Sequence, residues 1–437
     1  MDCTALRTWR VAVYTTMTRQ RDVLMNTLDA LLTAPQTARP IDLTLAPAFV
    51  RGWPSFYHGL QEGRLNRTAL RRLYCAHLPL TPGQRLVLAL DTTSILRPQS
   101  PTARDRMAVH AANLPDGAKP IGIGWQFSLL VVTPPTPSSW TYVLDGTRVR
   151  TGTTAARLGA TQVAAVLPLL PARPLVLGDR YYGSATFLLD ARLQACDKLV
   201  RVQTHRVFYR PPAPRRPHQR GRTPHKGARF QPKTPATHGE PTATWTGSDA
   251  RGRAVTVRAW EGLAFAEHLA HPVTLLECAR QDGASTKADP RTIWLLWDSP
   301  TPAPLAEIPD LYARRFSIEH GIRFKKQALC WAAPRLRTRA FQLWTDLVLA
   351  AHNTLVLARD MGEAVRLPWE RHAPLTPQHV RRALAGILPT LGTPAPPPQP
   401  RGKSPGRAPG TRPTPATRFP IVQKSRHATA HAPPIAV

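Results

Sequence analysis

The apolar run Leu-Val-Leu-Ala-Leu at residues 86–90 stops abruptly at Asp91. An unbroken run of that length, without the alternation of a half-exposed strand, predicts a buried strand that delivers a carboxylate at or near its end. GIGWQFSLLVVTP and WTYVLDGTRV supply two further strand patterns separated by Pro- and Gly-containing turns, so an antiparallel meander starting at the Asp91 strand is expected. TTAARLGATQVAAVLPLL then reads as a helix with Thr153 or Thr154 as its N-cap. In RPLVLGDRYYGSATFLLDARLQ a strand runs into Asp179 and a helix follows. Strands, helix, strand, helix is the signature of a mixed α/β sheet.

The text on either side has other periods. Over residues 1–80 it is helical: Val23, Leu24, Leu28, Leu31 and Leu32 recur at helical spacing, and NRTALRRLYCAHL sets Arg67, Arg71 and Arg72 beside Leu70 and Leu73. Such basic helices lie on a DNA backbone or form the solvated face of a small bundle. Residues 210–238 hold seven prolines and eight Lys or Arg without an acid, the composition of an extended basic loop. Strand-like text returns over 242–300, and FQLWTDLVLAAHNTLVLARD is one more apolar helix. Residues 393–437 carry twelve prolines, seven basic residues and no acid, which predicts disorder. The chain divides into a helical region at 1–80, a first core part at 81–205, a basic loop with β-rich insertion at 206–290, a closing core part at 291–385, and a tail at 386–437.

Lys and Arg number 58 against 27 acidic residues, a formal charge of +31, which points to a polyanionic partner such as nucleic acid unless it reflects a general arginine bias of the source. No apolar run reaches 18 residues and the N-terminus lacks a signal-peptide pattern, so a soluble cytoplasmic protein without membrane contact is expected. Five cysteines stand singly, excluding a C-x-x-C zinc knuckle and fitting a reducing compartment.

In YARRFSIEHGIRFKKQ the residues Tyr312, Arg315, Glu319 and Lys326 are spaced Y-x2-R-x3-E-x6-K, which returns all four to one face of a helix. A carboxylate there, with two cations and a phenol, suits a site for a polyanion and a metal. Asp91, Asp179 and Glu319 together offer the hard oxygen ligands that magnesium or manganese prefers. Either aspartate alone reads first as a helix cap or turn former, and the combination with the Glu319 motif reverses that reading.

These residues resemble the DDE transposases of bacterial insertion sequences, the group with the Y-x2-R-x3-E-x6-K signature. LALDTTSI resembles that family's first motif, and GDRYYGSATFL its second, with Tyr182 in the aromatic place after the aspartate. The likeness covers roughly residues 80–360. It implies a ribonuclease H-like mixed sheet flanked by helices, with a β-rich insertion before the last catalytic helix. It also implies that Asp91, Asp179 and Glu319 hold two Mg2+ ions, with Mn2+ as a substitute, while Tyr312, Arg315 and Lys326 contact phosphates of the element end. Relatives with a long insertion pass through a hairpin intermediate, aided by a tryptophan stacked on a flipped base; Trp260 is the first choice here, with a core aromatic as the other reading. His320 turns away from Glu319, Asp190 and Asp197 read as surface charges on a helix, and Lys325 as a solvated or backbone-facing cation.

The implied activity is metal-dependent cleavage and strand transfer on double-stranded DNA, at element ends and target, by a homodimer or larger synaptic complex, nucleoid-associated when bound. A DNA nuclease without strand transfer, or a transposase-derived DNA-binding protein that has lost catalysis, are the other readings.

Overall fold

The computed structural model describes residues 1–34, 39–111, 119–213, 224–281, 285, 290–400, 406, 408–412 and 414–423. The N-terminal region is helical: α1 (Cys3–Thr16), α2 (Arg21–Thr33), α3 (Trp53–Glu62) and α4 (Arg67–Ala76), with the short pair β1 (Met17–Arg19) and β2 (Arg64–Leu65) between them. The sheet begins with β3 (Val87–Leu96), β4 (Met107–His110), β5 (Ile121–Val132) and β6 (Tyr142–Val149). Then come α5 (Ala155–Val166), β7 (Leu175–Gly178), α6 (Ala185–Leu188) and β8 (Asp197–Arg201). The strands β9 (Phe208–Tyr209), β10 (Arg229–Phe230), β11 (Ala243–Ser248), β12 (Ala254–Phe265), β13 (His268–Arg280) and β14 (Thr292–Asp298) follow. The chain closes with α7 (Ile308–Ala313), α8 (Ser317–Gln327), α9 (Thr338–Leu357), α10 (Arg359–Ala364) and α11 (Pro377–Leu391).

Twelve of these strands make one mixed sheet of order β10-β9-β12-β13-β14-β8-β7-β3-β5-β4, with β11 on β12 and β6 on β5. β3, β7 and β8 are parallel and the other pairings antiparallel. The β-rich text of 242–300 extends this sheet through the β14–β8 pairing. Helices cover both faces of the centre. Ser128 of β5 donates to Gln162 of α5, while its neighbour Phe127 packs edge-on against Trp331 and Phe341, the latter on α9. Asn353 of α9 closes a two-way amide clamp on the Val143 backbone, accepting from its N–H and donating to its carbonyl at 2.8 Å each. That clamp satisfies a buried polar side chain and fixes α9 on β6.

The N-terminal helices share this core. Trp9 of α1 donates to Thr354 of α9, and Phe56 of α3 packs on Trp344. Arg67 and Arg71 correct both readings of the basic helix: Arg67 pairs with Asp346 at 3.1 Å and Asp145 at 3.5 Å, and Arg71 also grips Asp145. Two buried carboxylates on other elements claim these arginines, and only Arg72 stays exposed. Burial presses Asp145 upward, but Arg67 and Arg71 hold it below the ordinary carboxylate range. Asp197 likewise is no surface charge on a helix: it opens β8, nearly buried, with Arg173 at 2.7 Å and Arg85 at 3.5 Å.

Part of the basic loop, residues 214–223, and much of the tail lie outside the described residues. Where the tail is described it touches the body. Val422 forms a β-bridge with Met107, and the Phe419 N–H donates to the Pro101 carbonyl at 2.8 Å. Among the described residues no helix is long and apolar enough to cross a membrane.

Candidate active site

The carboxylates are placed by register. Leu90 of β3 pairs with Gly178 of β7, and Gly178 pairs with Val200 of β8. The next residues along the chain are Asp91 within β3, Asp179 just past β7 and Arg201 at the end of β8. Two acids and a guanidinium therefore follow one row across three parallel strands, in the crevice beyond strand ends where α/β sheets place their sites. Asp91 is not at the end of its strand. β3 runs on to Leu96 because β5 pairs with it along its length, whereas β7 stops at Gly178. The step between a long and a short strand is what opens Asp91. Each carboxylate also accepts from nearby backbone: Asp91 Oδ1 from the Thr92 N–H at 2.7 Å, Asp179 Oδ1 from the Tyr181 N–H at 2.9 Å.

The signature segment is not one uniform helix. α7 passes through a tight 3-10 turn at Arg314–Phe316 into α8, so the four-residue stripe is broken in phase. Arg314 anchors the turn, donating to the carbonyls of Pro134 at 2.9 Å and Thr133 at 3.0 Å just past β5. Arg315 is thereby aimed at the carboxylates: it donates to Asp91 Oδ2 at 3.2 Å and to Glu319 Oε1 at 3.1 Å. Asp91 and Arg315 are nearly buried, while the Glu319 side chain is 52% exposed at the mouth. Lys326, one face further along, donates to the Ser94 carbonyl at 2.9 Å. A cleft of about 620 Å³ is lined by Asp91, Asp179, Arg180, Tyr181, Gln126 and Lys326.

Burial is the main force on the charges. It pushes the Asp91 carboxyl up to about 7, against the pull of Arg315 and with a further push from Asp179. Asp179 is raised for the same reason, moderated by the Tyr181 N–H and by Arg315, Arg180 and Arg201. Burial opposes the Arg315 charge, but Tyr312, Asp91, Glu319 and Asp179 outweigh it and keep it cationic. Buried carboxylates whose donors are all hard oxygens suit a divalent cation. Among the described residues no group of three or more His, Cys, Asp or Glu side chains is arranged so that it could hold a metal ion. Arg315 is what bridges Asp91 and Glu319 in this state.

The structure thus gathers Asp91, Asp179, Arg315, Glu319 and Lys326. Tyr312 lies beneath them, buried, with its ring 5.8 Å from the Arg315 guanidinium. Three residues expected on DNA are core instead: Tyr312, at 3% exposed, and two more. Tyr182 is fully buried, its hydroxyl 3.3 Å from Ser128 and its ring filling the space a Cβ on Gly159 would need. Trp260 is 3% exposed, stacked on Trp294 at 5.4 Å and hydrogen-bonded to the Gly239 carbonyl, so it offers no face to a base. Lys325 is also corrected: it is buried rather than solvated, and burial pushes its ammonium down to about 7. Three residues escaped the sequence reading. Tyr181, 55% exposed, faces out beside the buried Tyr182 and stacks with Arg180. Arg201 is visible only once β8 is known to run parallel to β7.

The profile of one protein family, described as DDE superfamily endonuclease, matches residues 12–263. That span contains Asp91 and Asp179 and ends before Glu319. No curated protein is significantly similar in sequence. Among solved structures, one similar in arrangement is a piggyBac transposase synaptic complex with hairpin DNA, at 11% identity and a TM-score of 0.45, covering 89% of this chain and 80% of that one.

Proposed function

The chain belongs to the DDE superfamily endonucleases, and on that footing we propose that it is a transposase that binds the ends of its own element and cuts and joins DNA there. The observation that carries this reading is the row of Asp91, Asp179 and Arg201, closed by Arg315 reaching from Asp91 to Glu319. Asp91, Asp179 and Glu319 are the residues that would hold divalent metal, two Mg2+ or Mn2+ ions. When bound, such ions activate the attacking oxygen and stabilise the leaving one.

The protein groups supply binding and alignment. In-line displacement forms a bond from a water or 3'-hydroxyl oxygen to phosphorus while the bond to the leaving 3' oxygen breaks. Arg315 presents a planar fork and Lys326 a point charge, two complementary ways of holding non-bridging phosphate oxygens. Arg180 and Arg201 widen that cationic surface around Asp179, and Tyr181 adds an exposed phenol. Double-stranded DNA is the partner, and pairing of two ends calls for a dimer or larger assembly, active in the cytoplasm on the nucleoid.

The test incubates the full chain with labelled element-end duplex and Mg2+. Cutting at the end followed by joining to a second duplex supports the proposal. Cutting without joining identifies a nuclease, and metal-independent binding without cutting a protein that has lost catalysis. Terminal inverted repeats flanking the coding region would supply the substrate.

A further inference from the structure

A second, larger cavity, about 970 Å³, opens two strands away from the carboxylates. The register locates it: Thr93 of β3 pairs with Phe127 of β5, which pairs with Arg148 of β6. Arg148 and Arg150 line it from the end of β6, Arg104 from the connection between β3 and β4, and Arg337 and Arg339 from the start of α9. Its acid, Asp105, is already gripped by Arg148 and Thr151. Arg104, Arg150, Arg337 and Arg339 are exposed, and none pairs with a carboxylate among the described residues.

That pattern differs from the structural arginines of this fold. Arg67, whose side chain reaches the same cavity wall, is neutralised by Asp145 and Asp346. Four guanidinium groups without a carboxylate partner among the described residues repel one another around one hollow, eased only in part by the Gly63 carbonyl that accepts from Arg339 at 3.3 Å. The remaining wall is the docked tail. The Phe419 ring lies 4.7 Å from the Arg104 guanidinium, and Arg106 ties the strap down by donating to the Phe419 carbonyl at 3.1 Å and accepting from the Val422 N–H at 2.7 Å. Arg104 is thus held facing the hollow by stacking rather than by a counter-charge.

We infer that this cavity is a second DNA site, binding several phosphates of duplex backbone away from the carboxylate centre. The choice of duplex DNA rests on the transposase reading; the demand for a multiply charged anion rests on the arginines alone. The cavity is too large for a single phosphate, and it opens beside β6, two strands from the one that carries Asp91.

The test measures affinity of the full chain for a random-sequence duplex of about 40 base pairs in EDTA, across about 50 to 300 mM salt, where each phosphate contact contributes to the slope. Arg150→Gln with Arg337→Gln should lower the salt slope by about 2 and weaken binding by about tenfold or more at physiological salt. Arg192→Gln with Arg258→Gln removes the same charge from exposed arginines that pair with Asp190 and Glu277, and should leave slope and affinity unchanged. Circular dichroism melts confirm folding of both pairs. An unchanged slope in the first pair, an equal loss in the second, or no duplex binding by the parent chain overturns the inference. Because EDTA removes chemistry, failure of Mg2+-dependent end cleavage would sink the transposase reading and leave this result standing.

Discussion

Asp91 and Arg315, 224 positions apart in sequence, meet at 3.2 Å with both side chains largely shielded from water. Removing one partner leaves the other buried and uncompensated. Arg315→Ala should therefore destabilise the chain by about 2–4 kcal/mol in urea unfolding. Asp91→Asn added to it should restore much of that loss while recovering no cleavage. Purely additive losses would place the two groups out of contact.

Asp179→Asn and Glu319→Gln keep shape and remove charge. Each should lower metal-dependent end cleavage by on the order of a thousandfold, about 4 kcal/mol of barrier, with duplex affinity retained. Normal cutting by Glu319→Gln would remove it from the site.

Arg201 sits in the row of the two aspartates and acts electrostatically on Asp179 and Tyr312. Arg201→Ala should weaken end binding and reduce its salt slope by about 1. A full salt slope in that variant would place Arg201 off the phosphate path.

Lys325 gives a pH signature separate from chemistry. Its folded value, about 7, lies below the ordinary 10.5, so between these the unfolded chain holds a proton that the folded one lacks. Stability rises with pH across that window, and the full burial cost is felt below pH 7. Lys325→Met should raise Tm by about 2 °C or more at pH 6 and the gain should vanish near pH 10. A pH-independent gain would mean that Lys325 is neutral or solvated throughout.

Trp260→Ala should cost about 3–5 kcal/mol, the expected loss for an emptied aromatic core position. Tyr181→Ala, at an exposed position, should cost almost nothing in stability and weaken DNA binding. The reverse result would put Trp260 on the substrate and Tyr181 in the core.

What the sequence reveals depends on how local the signal is. The apolar run before Asp91 and the strand into Asp179 mark a mixed sheet because strand burial is written in consecutive residues. Arg201 carries no such mark, since its place beside Asp179 depends on pairing between β7 and β8. The tyrosine pair shows the same limit: either member of Tyr181–Tyr182 fits an aromatic after the aspartate, and only packing beneath Gly159 decides which is inside. Charge alone marks Arg67 and Lys325 as outward-facing, yet distant carboxylates draw one inward and plain burial encloses the other.

The carboxylates at 91, 179 and 319 come from widely separated stretches of one chain, and the Arg315 that compensates Asp91 is synthesised long after it. A ribosome that has finished β3, β7 and β8 has made the row of Asp91, Asp179 and Arg201 without Arg315 or Glu319. Asp91 gains its Arg315 partner only when α8 emerges and docks, so a chain that stops before residue 315 leaves that buried carboxylate without it. Sequence distance thus sets the order in which the charges of this cleft are balanced.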